Sequence, residues 1–381
     1  MKNVITVGAA LMLTTTAAHA VGLDRSNQNI GLIFEEGTYG ELSFGSVTPS
    51  ISGNDNAALG FGSTDSGNVG GDFTTFGLGF KTDLNDQISV GVIFDQPYGV
   101  DLEYPSATDG GSPLLGGTFA ELNSATVTAI ARYKIDGNWS VHGGIRAETL
   151  DGSVGLAGGA YGGLNGYTVD FDGETSVGYS AGVAYERPDI ALRIALTYHS
   201  EIEHDLSTTE SGPLGIIDST TKVTTPEAIN LDFQTGIAAD TLLFGSIRYA
   251  DYSTVTLSPD QFAGLTGGGS LTNIDEGVSY NIGVGRRFSD KFSGLVSIGF
   301  ETEGDDDLVS PLAPTNGSIS YGIGGEYKIT DQIAISGGVR YIQVGDASAA
   351  LTLPATGVET PVTNFENNDV IGVGIKIGYT F

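Results

Sequence analysis

The chain has 381 residues, with 58 Gly, no Cys, and 16 Lys+Arg against 46 Asp+Glu, for a net charge of −30. That charge would repel a phosphate backbone, which excludes a nucleic-acid partner, and without Cys there are no zinc fingers, iron–sulfur centres or disulfide scaffolds. With 40% apolar and only 16% charged residues the chain is not disordered, and abundant Gly beside 17 Phe and 16 Tyr favours strands and turns over helices.

The first twenty residues read as an address. Lys2 opens a short basic region, residues 4–13 are apolar, and Ala18-His19-Ala20 fits a small-x-small cleavage site. The mature chain then begins near Val21 and is exported. Residues 21–38 form a short segment ahead of the first strand, in which Ile30, Leu32, Ile33 and Phe34 are the apolar residues of a candidate plug.

From residue 39 onward no segment approaches the roughly 18 apolar residues of a membrane helix. Period-two alternation recurs instead. In 317–329, Ile319, Tyr321, Ile323, Tyr327 and Ile329 share one face, and in 176–186 Val177, Tyr179, Ala181, Val183 and Tyr185 do the same. Tight turns at 83–86, 135–138, 187–189, 238–240, 289–291 and 330–332 alternate with long polar stretches at 53–71, 99–117, 152–172, 205–225, 258–275, 302–315 and 346–364. Such alternation predicts an all-β, antiparallel transmembrane barrel over 39–381, of about fourteen strands, with short periplasmic turns and long external loops. Phe80, Tyr133, Tyr185, Phe288 and Tyr327 precede short turns, while Phe94, Tyr198, Tyr249, Phe300 and Tyr341 sit nearer the loops, as two aromatic girdles would.

The last strand carries the most specific pattern. Ile371, Val373, Ile375, Ile377, Tyr379 and the terminal Phe381 alternate on one face. That ending resembles the assembly signal of bacterial outer-membrane barrels, which implies the barrel assembly machinery as a partner, with outer-membrane lipid and lipopolysaccharide as surroundings.

Further stretches resemble the FadL family of long-chain fatty acid and hydrocarbon transporters. They are Asp95-Gln96-Pro97-Tyr98-Gly99 with Glu103-Tyr104, the run 196–206 containing Thr197-Tyr198-His199-Ser200 and His204-Asp205-Leu206, Thr225-Pro226-Glu227-Ala228-Ile229-Asn230-Leu231, and Arg248-Tyr249-Ala250-Asp251-Tyr252. The resemblance implies uptake of hydrophobic cargo by diffusion, capture in a groove of external loops, and a sideways exit near the kink Pro97, Tyr98, Gly99. The chain departs from the family at its N-terminus, where residues 21–38 are shorter than the usual plug and lack Asn-Pro-Ala.

Candidate site residues follow. The third and fourth loops carry Leu156, Tyr161, Leu164 and Tyr167, then Leu214, Ile216 and Ile217, the apolar side chains a capture groove needs. With the aromatic face turned to lipid, Arg132, Arg146, Arg193, Arg248 and Arg340 face inward beside Glu148, Glu186, Asp232 and Glu326. Arg146, Arg193 and Arg248 are candidates to hold a cargo carboxylate through paired hydrogen bonds; a lumenal ion-pair network is the structural alternative. No enzyme is expected, because His142 is followed by Gly143 and Gly144 where an outer-membrane phospholipase has Ser two residues on. No cofactor or metal is expected either: strand parity puts His199, Glu201 and Glu203 on one face and His204 on the other. The acidic run Glu301, Glu303 and 305–307 reads as a solvated loop tip, with cation bridging to lipopolysaccharide as its functional alternative. A porin-like channel for small polar solutes and a surface interaction protein are the competing functions.

Overall fold

The computed structural model describes residues 23–304, 307–353 and 358–381. The export signal read in residues 1–20, and residues 305 and 306 of the acidic run, lie outside them. One 17-segment antiparallel sheet closes on itself. Three of its strands are interrupted, and counting each once gives fourteen. They are β1 Tyr39–Ser50, β2 Phe73–Asp83, β3 Ile88–Asp95 continued by Gly99–Glu103, β4 Phe119–Lys134, β5 Trp139–Leu156, β6 Tyr167–Arg187 and β7 Leu192–His199 continued by Ile202–Gly212. Then come β8 Gly215–Thr225 continued by Ala228–Ala238, β9 Thr241–Ala250, β10 Gly277–Arg287, β11 Phe292–Glu301, β12 Ser318–Lys328, β13 Ile333–Val344 and β14 Asp369–Thr380. Closure is made by β1 on β14, from Tyr39 opposite Thr380 to Ser50 opposite Asp369. In lipid this is obligatory, since an open edge would leave backbone N–H and C=O groups without partners.

The short turns at one end share a local device. Asn85 Oδ1 accepts from the Gln87 and Ile88 amides, Asp136 Oδ1 from Asn138 and Trp139, Ser289 Oγ from Lys291 and Phe292, and Thr330 Oγ1 from Gln332 and Ile333. A short polar side chain thus satisfies two amides that the reversing backbone cannot. Those two donors also hold the Asp136 carboxyl below its usual range.

At the other end the structure departs from the expected loops. Residues 205–225 are not a loop but a hairpin, with β7 and β8 in register from Ile202 opposite Thr225 to Gly212 opposite Gly215. The segment is polar, yet its Thr, Val and Ile content suits a pleated surface, so the wall continues above the membrane. Much of 152–172 likewise extends β5 and β6. The remaining loops are tied together: Gly53–Asp55 pairs with Val358–Phe365, and buried Asp55 accepts from Ser112 Oγ and Thr363 Oγ1, each belonging to another loop. Burial pushes the Asp55 carboxyl up, and these hydrogen bonds only partly oppose it.

Outer positions of the strands are apolar and exposed, among them Phe80, Tyr133, Phe288 and Tyr327 near the turns and Phe300 and Tyr341 near the loops. Val373, Ile375, Ile377, Tyr379 and Phe381 are exposed along the outside of β14. Inner positions hold the charges: Arg132, Arg146, Arg193, Arg248, Glu148 and Glu326 are all buried.

Candidate functional site: an apolar chamber above a polar lumen

Inward-facing residues of the wall change character along its height. Near the loops they are apolar. Ala120 and Leu122 of β4, Leu150 and Val154 of β5, Phe171 of β6, Leu206 of β7 and Val223 of β8 line a cavity completed by Val255, Leu257, Ile274, Leu312 and Ala313 from the loops. Glu121, Thr272 and Ser310 are its polar members, and among the described residues no cationic side chain lines it. Leu23, the first described residue, closes it from below.

Leu156, Tyr161 and Tyr167 are buried in the apolar cluster that continues from this chamber, with Leu164 packed against it. Tyr167 is anchored by donating to Glu210 Oε2 at 2.7 Å. Leu214 and Ile216, by contrast, stand 63% and 74% exposed at the tip of the β7–β8 hairpin, with Ile217 half-buried beside them. The structure therefore does not gather the two sets into one groove.

Below the chamber the inner face is charged and paired. Glu148 accepts from Arg146 Nη2 (3.2 Å), Thr126 Oγ1 (3.1 Å) and Thr225 Oγ1 (2.7 Å), and His204 Nε2 lies 3.4 Å away. Arg146 also donates to the Ser200 carbonyl. Arg248 is gripped by Asp24 and further donates to Asn230 and Gln28. Arg193 donates to Gln234 and lies 4.7 Å above the Phe34 ring centroid; Arg132, paired with Glu186, lies at 4.6 Å. Each of the three candidate arginines thus has partners within the chain.

Residues 23–34 occupy the lumen. Gly31–Phe34 form one 3-10 turn, with Ile30, Ile33 and Phe34 buried against Ile130, Ala184 and Ala195. Leu32 fits against Gly79, where a Cβ would stand 2.9 Å from its methyl. Upstream, the segment pairs with the kinked part of β3: Arg25 N–H donates to the Pro97 carbonyl at 2.7 Å, and Gly99 N–H to Leu23 at 2.9 Å. The buried Tyr98 between them accepts from Gln28 Nε2 and donates to the Pro226 carbonyl.

The kink is a bulge. Four steps lead from Asp95 to Gly99 while their partners on β4, Thr126 and Asn123, are three apart. Pro97 has no N–H to give the ladder, so pairing stops there. As a result β2 above Leu78 loses its neighbour, and Phe76 N–H is met only by the Gln96 side chain. A cavity lies at this gap, lined by Phe44, Phe76, Leu78 and Phe94 together with Ser26, Asn29, Glu35, Asp95 and Arg193.

One expectation is corrected here. His199 and His204 are both buried on the inner face, because β7 breaks at Ser200-Glu201 and its alternation changes phase. Strand alternation alone points neither to the chamber residues nor to the Asp24–Arg248 pair. The signal available for the former was the switch of inward positions from Arg, Glu and His to Leu, Val and Phe along β5, β6 and β7.

Residues 9–381 match the family described as outer membrane protein transport protein (OMPP1/FadL/TodX). No curated protein matches the chain by sequence. Among solved structures, a Pseudomonas aeruginosa FadL homologue superposes with a TM-score of 0.74 at 13% identity, over 96% of each chain. The P. putida toluene transporter TodX gives 0.63 at 13% identity over 92% of this chain and 91% of that one, and the Ralstonia pickettii toluene transporter TbuX gives 0.59 at 14% over the same shares.

Proposed function

The chain belongs to the outer membrane transport proteins of the OMPP1/FadL/TodX family, and we propose that it admits hydrophobic small molecules, long-chain fatty acids or related hydrocarbons, through the chamber and out through the wall. As a family member it is a barrel of the bacterial outer membrane, in a family of channels for hydrophobic compounds. The observation that carries the reading is the chamber itself: a cavity lined by Leu150, Val154, Phe171, Leu206 and Val223, opposite a floor formed by Leu23. Apolar surface facing a cavity inside an otherwise charged lumen stabilises an apolar guest and rejects a hydrated solute.

Uncharged members of the cargo class suit this site best. Among the described residues the chamber has no cation to meet a carboxylate, and Arg146, Arg193 and Arg248 are engaged by the chain's own groups. Two of the structural relatives are named as toluene transporters, and toluene is an uncharged hydrocarbon. Cargo leaving the chamber passes Leu23, whose carbonyl is bonded to Gly99, and so arrives at the gap beside Gln96-Pro97-Tyr98. Leu156, Tyr161, Leu164 and Tyr167 serve as the packed roof of this route, and Leu214, Ile216 and Ile217 as its outermost apolar contacts.

The test is uptake of dodecane and of oleate by cells lacking their own transporter. Burying one Leu or Val side chain against cargo contributes about 1.5–3 kcal/mol, so Val154→Asp or Leu206→Asp lowers uptake by roughly tenfold or more. Parental uptake by both variants, in barrels that still fold, would refute the chamber as the route.

A further inference from the structure

Between the chamber and the Phe34 turn, the inner face of β5, β6 and β7 carries buried polar atoms with no hydrogen-bond partner among the described residues. They are both ring nitrogens of His199, Ser180 Oγ and His142 Nδ1, on side chains no more than 5% exposed. Register places them together. Ser180 lies directly opposite His199, and Gly144 is on its other side. In the adjacent row His142 faces Gly182, which faces Thr197. A Cβ at Gly182 would stand 2.1 Å from His142 Nε2, so the glycine lets the imidazole lie across it to reach Thr197 Oγ1 at 2.9 Å. Asn27 of the N-terminal segment is bonded to Asn230, the next residue of that row, and its own Oδ1 is also without a partner.

Glu148 gives the contrast. It is equally buried a few residues nearer the chamber, yet Arg146, Thr126, Thr225 and His204 surround it. A satisfied cluster is scaffold. Polar atoms left unpaired in one patch are donors and acceptors that a guest can pair with. Imidazole and hydroxyl each offer one donor and one acceptor without net charge, which matches an alcohol or phenol O–H in both directions.

We propose that Ser180 and His199 form a docking point for the hydroxyl head of an amphipathic hydrocarbon descending from the chamber. This rests on the transport reading above and adds a substrate class to it. Asn27 and Gln28 form a turn beside the patch, where the Asn27 carbonyl accepts from Asn230. Both residues hold a left-handed backbone, φ 56° and 51°, which non-glycine residues adopt at an energetic cost, so displacing the turn relieves strain.

The experiment measures equilibrium binding of dodecanol and of dodecane to the full chain in lipid nanodiscs, with migration of unheated samples as the check of folding. The double variant Ser180→Ala/His199→Leu is expected to bind dodecanol about tenfold more weakly while dodecane stays within about twofold. His199→Gln, which keeps a donor and an acceptor, stays near the parental value for both. An equal loss of both probes would assign the pair to wall packing and overturn the proposal, as would no change for either. If the parental barrel binds neither probe, the transport reading itself falls, and the inference with it.

Discussion

Asp24 and Arg248, 224 residues apart in sequence, meet inside the barrel through two hydrogen bonds of 2.7 and 2.9 Å, with both side chains buried. The pair fastens the segment ahead of the first strand to β9, and Leu23 beside it lines the chamber. Removing one partner of such a pair leaves the other charge uncompensated, at a cost of about 3–5 kcal/mol. Asp24→Ala therefore frees the N-terminal segment, and planar-bilayer recordings should show larger and noisier ion currents than the parental barrel. Asp24→Ala/Arg248→Met removes both charges and should be milder than the single change. Equal currents from all three proteins would show that the pair does not hold the segment.

Arg146 provides a second test, because its guanidinium is paired with Glu148 rather than open to cargo. Arg146→Met alone should lower the temperature at which the barrel loses its fast-migrating form, and Arg146→Met/Glu148→Leu should recover most of the loss. Oleate uptake by the double variant distinguishes the roles. Parental uptake assigns Arg146 to the scaffold, whereas loss of oleate with dodecane retained would make it the carboxylate anchor.

The hairpin tip makes a third. Leu214, Ile216 and Ile217 contribute little to packing, so replacing all three by Ser should leave folding intact. If exposed apolar groups gather cargo from outside, uptake at low cargo concentration should fall several-fold and recover at saturation. A parental concentration dependence would remove the tip from the route.

Asp55 makes the loop assembly sensitive to pH. Its carboxyl holds a proton more tightly in the folded loops than in a free chain. Its contribution to loop docking is therefore fully present below the ordinary carboxylate value and is lost as pH rises through the raised folded value. Since the chain has no Cys, a spin label attached through Ala58→Cys reports this loop alone. Its mobility should increase from acidic to neutral pH, and Asp55→Asn should abolish the change. A flat profile in the parental protein would count against the mechanism.

The barrel was legible because its physics is local. Alternation in 317–329, tight turns such as 135–138 and the apolar ending at Phe381 are properties of neighbouring residues. What depended on breaks in the strands was not legible. Parity carried unbroken through Ser200-Glu201 separated His199 from His204, and the polar hairpin 205–225 concealed that Leu206 and Val223 face a cavity. Nor does anything near Asp24 announce Arg248, since that pairing exists only once the wall has curved round the N-terminal segment.

The closing rungs of Tyr39 on Thr380 and Ser50 on Asp369 also make the two ends of the barrel sequence depend on each other. β1 comes first among the strands along the chain, yet one of its two edges is covered only by the last. Without β14 the sheet keeps two unpaired margins, each able to recruit another chain. The final dozen residues therefore act as the zipper's last teeth: a chain cut short of β14 is a ribbon with open margins, and only the full wall is a cylinder.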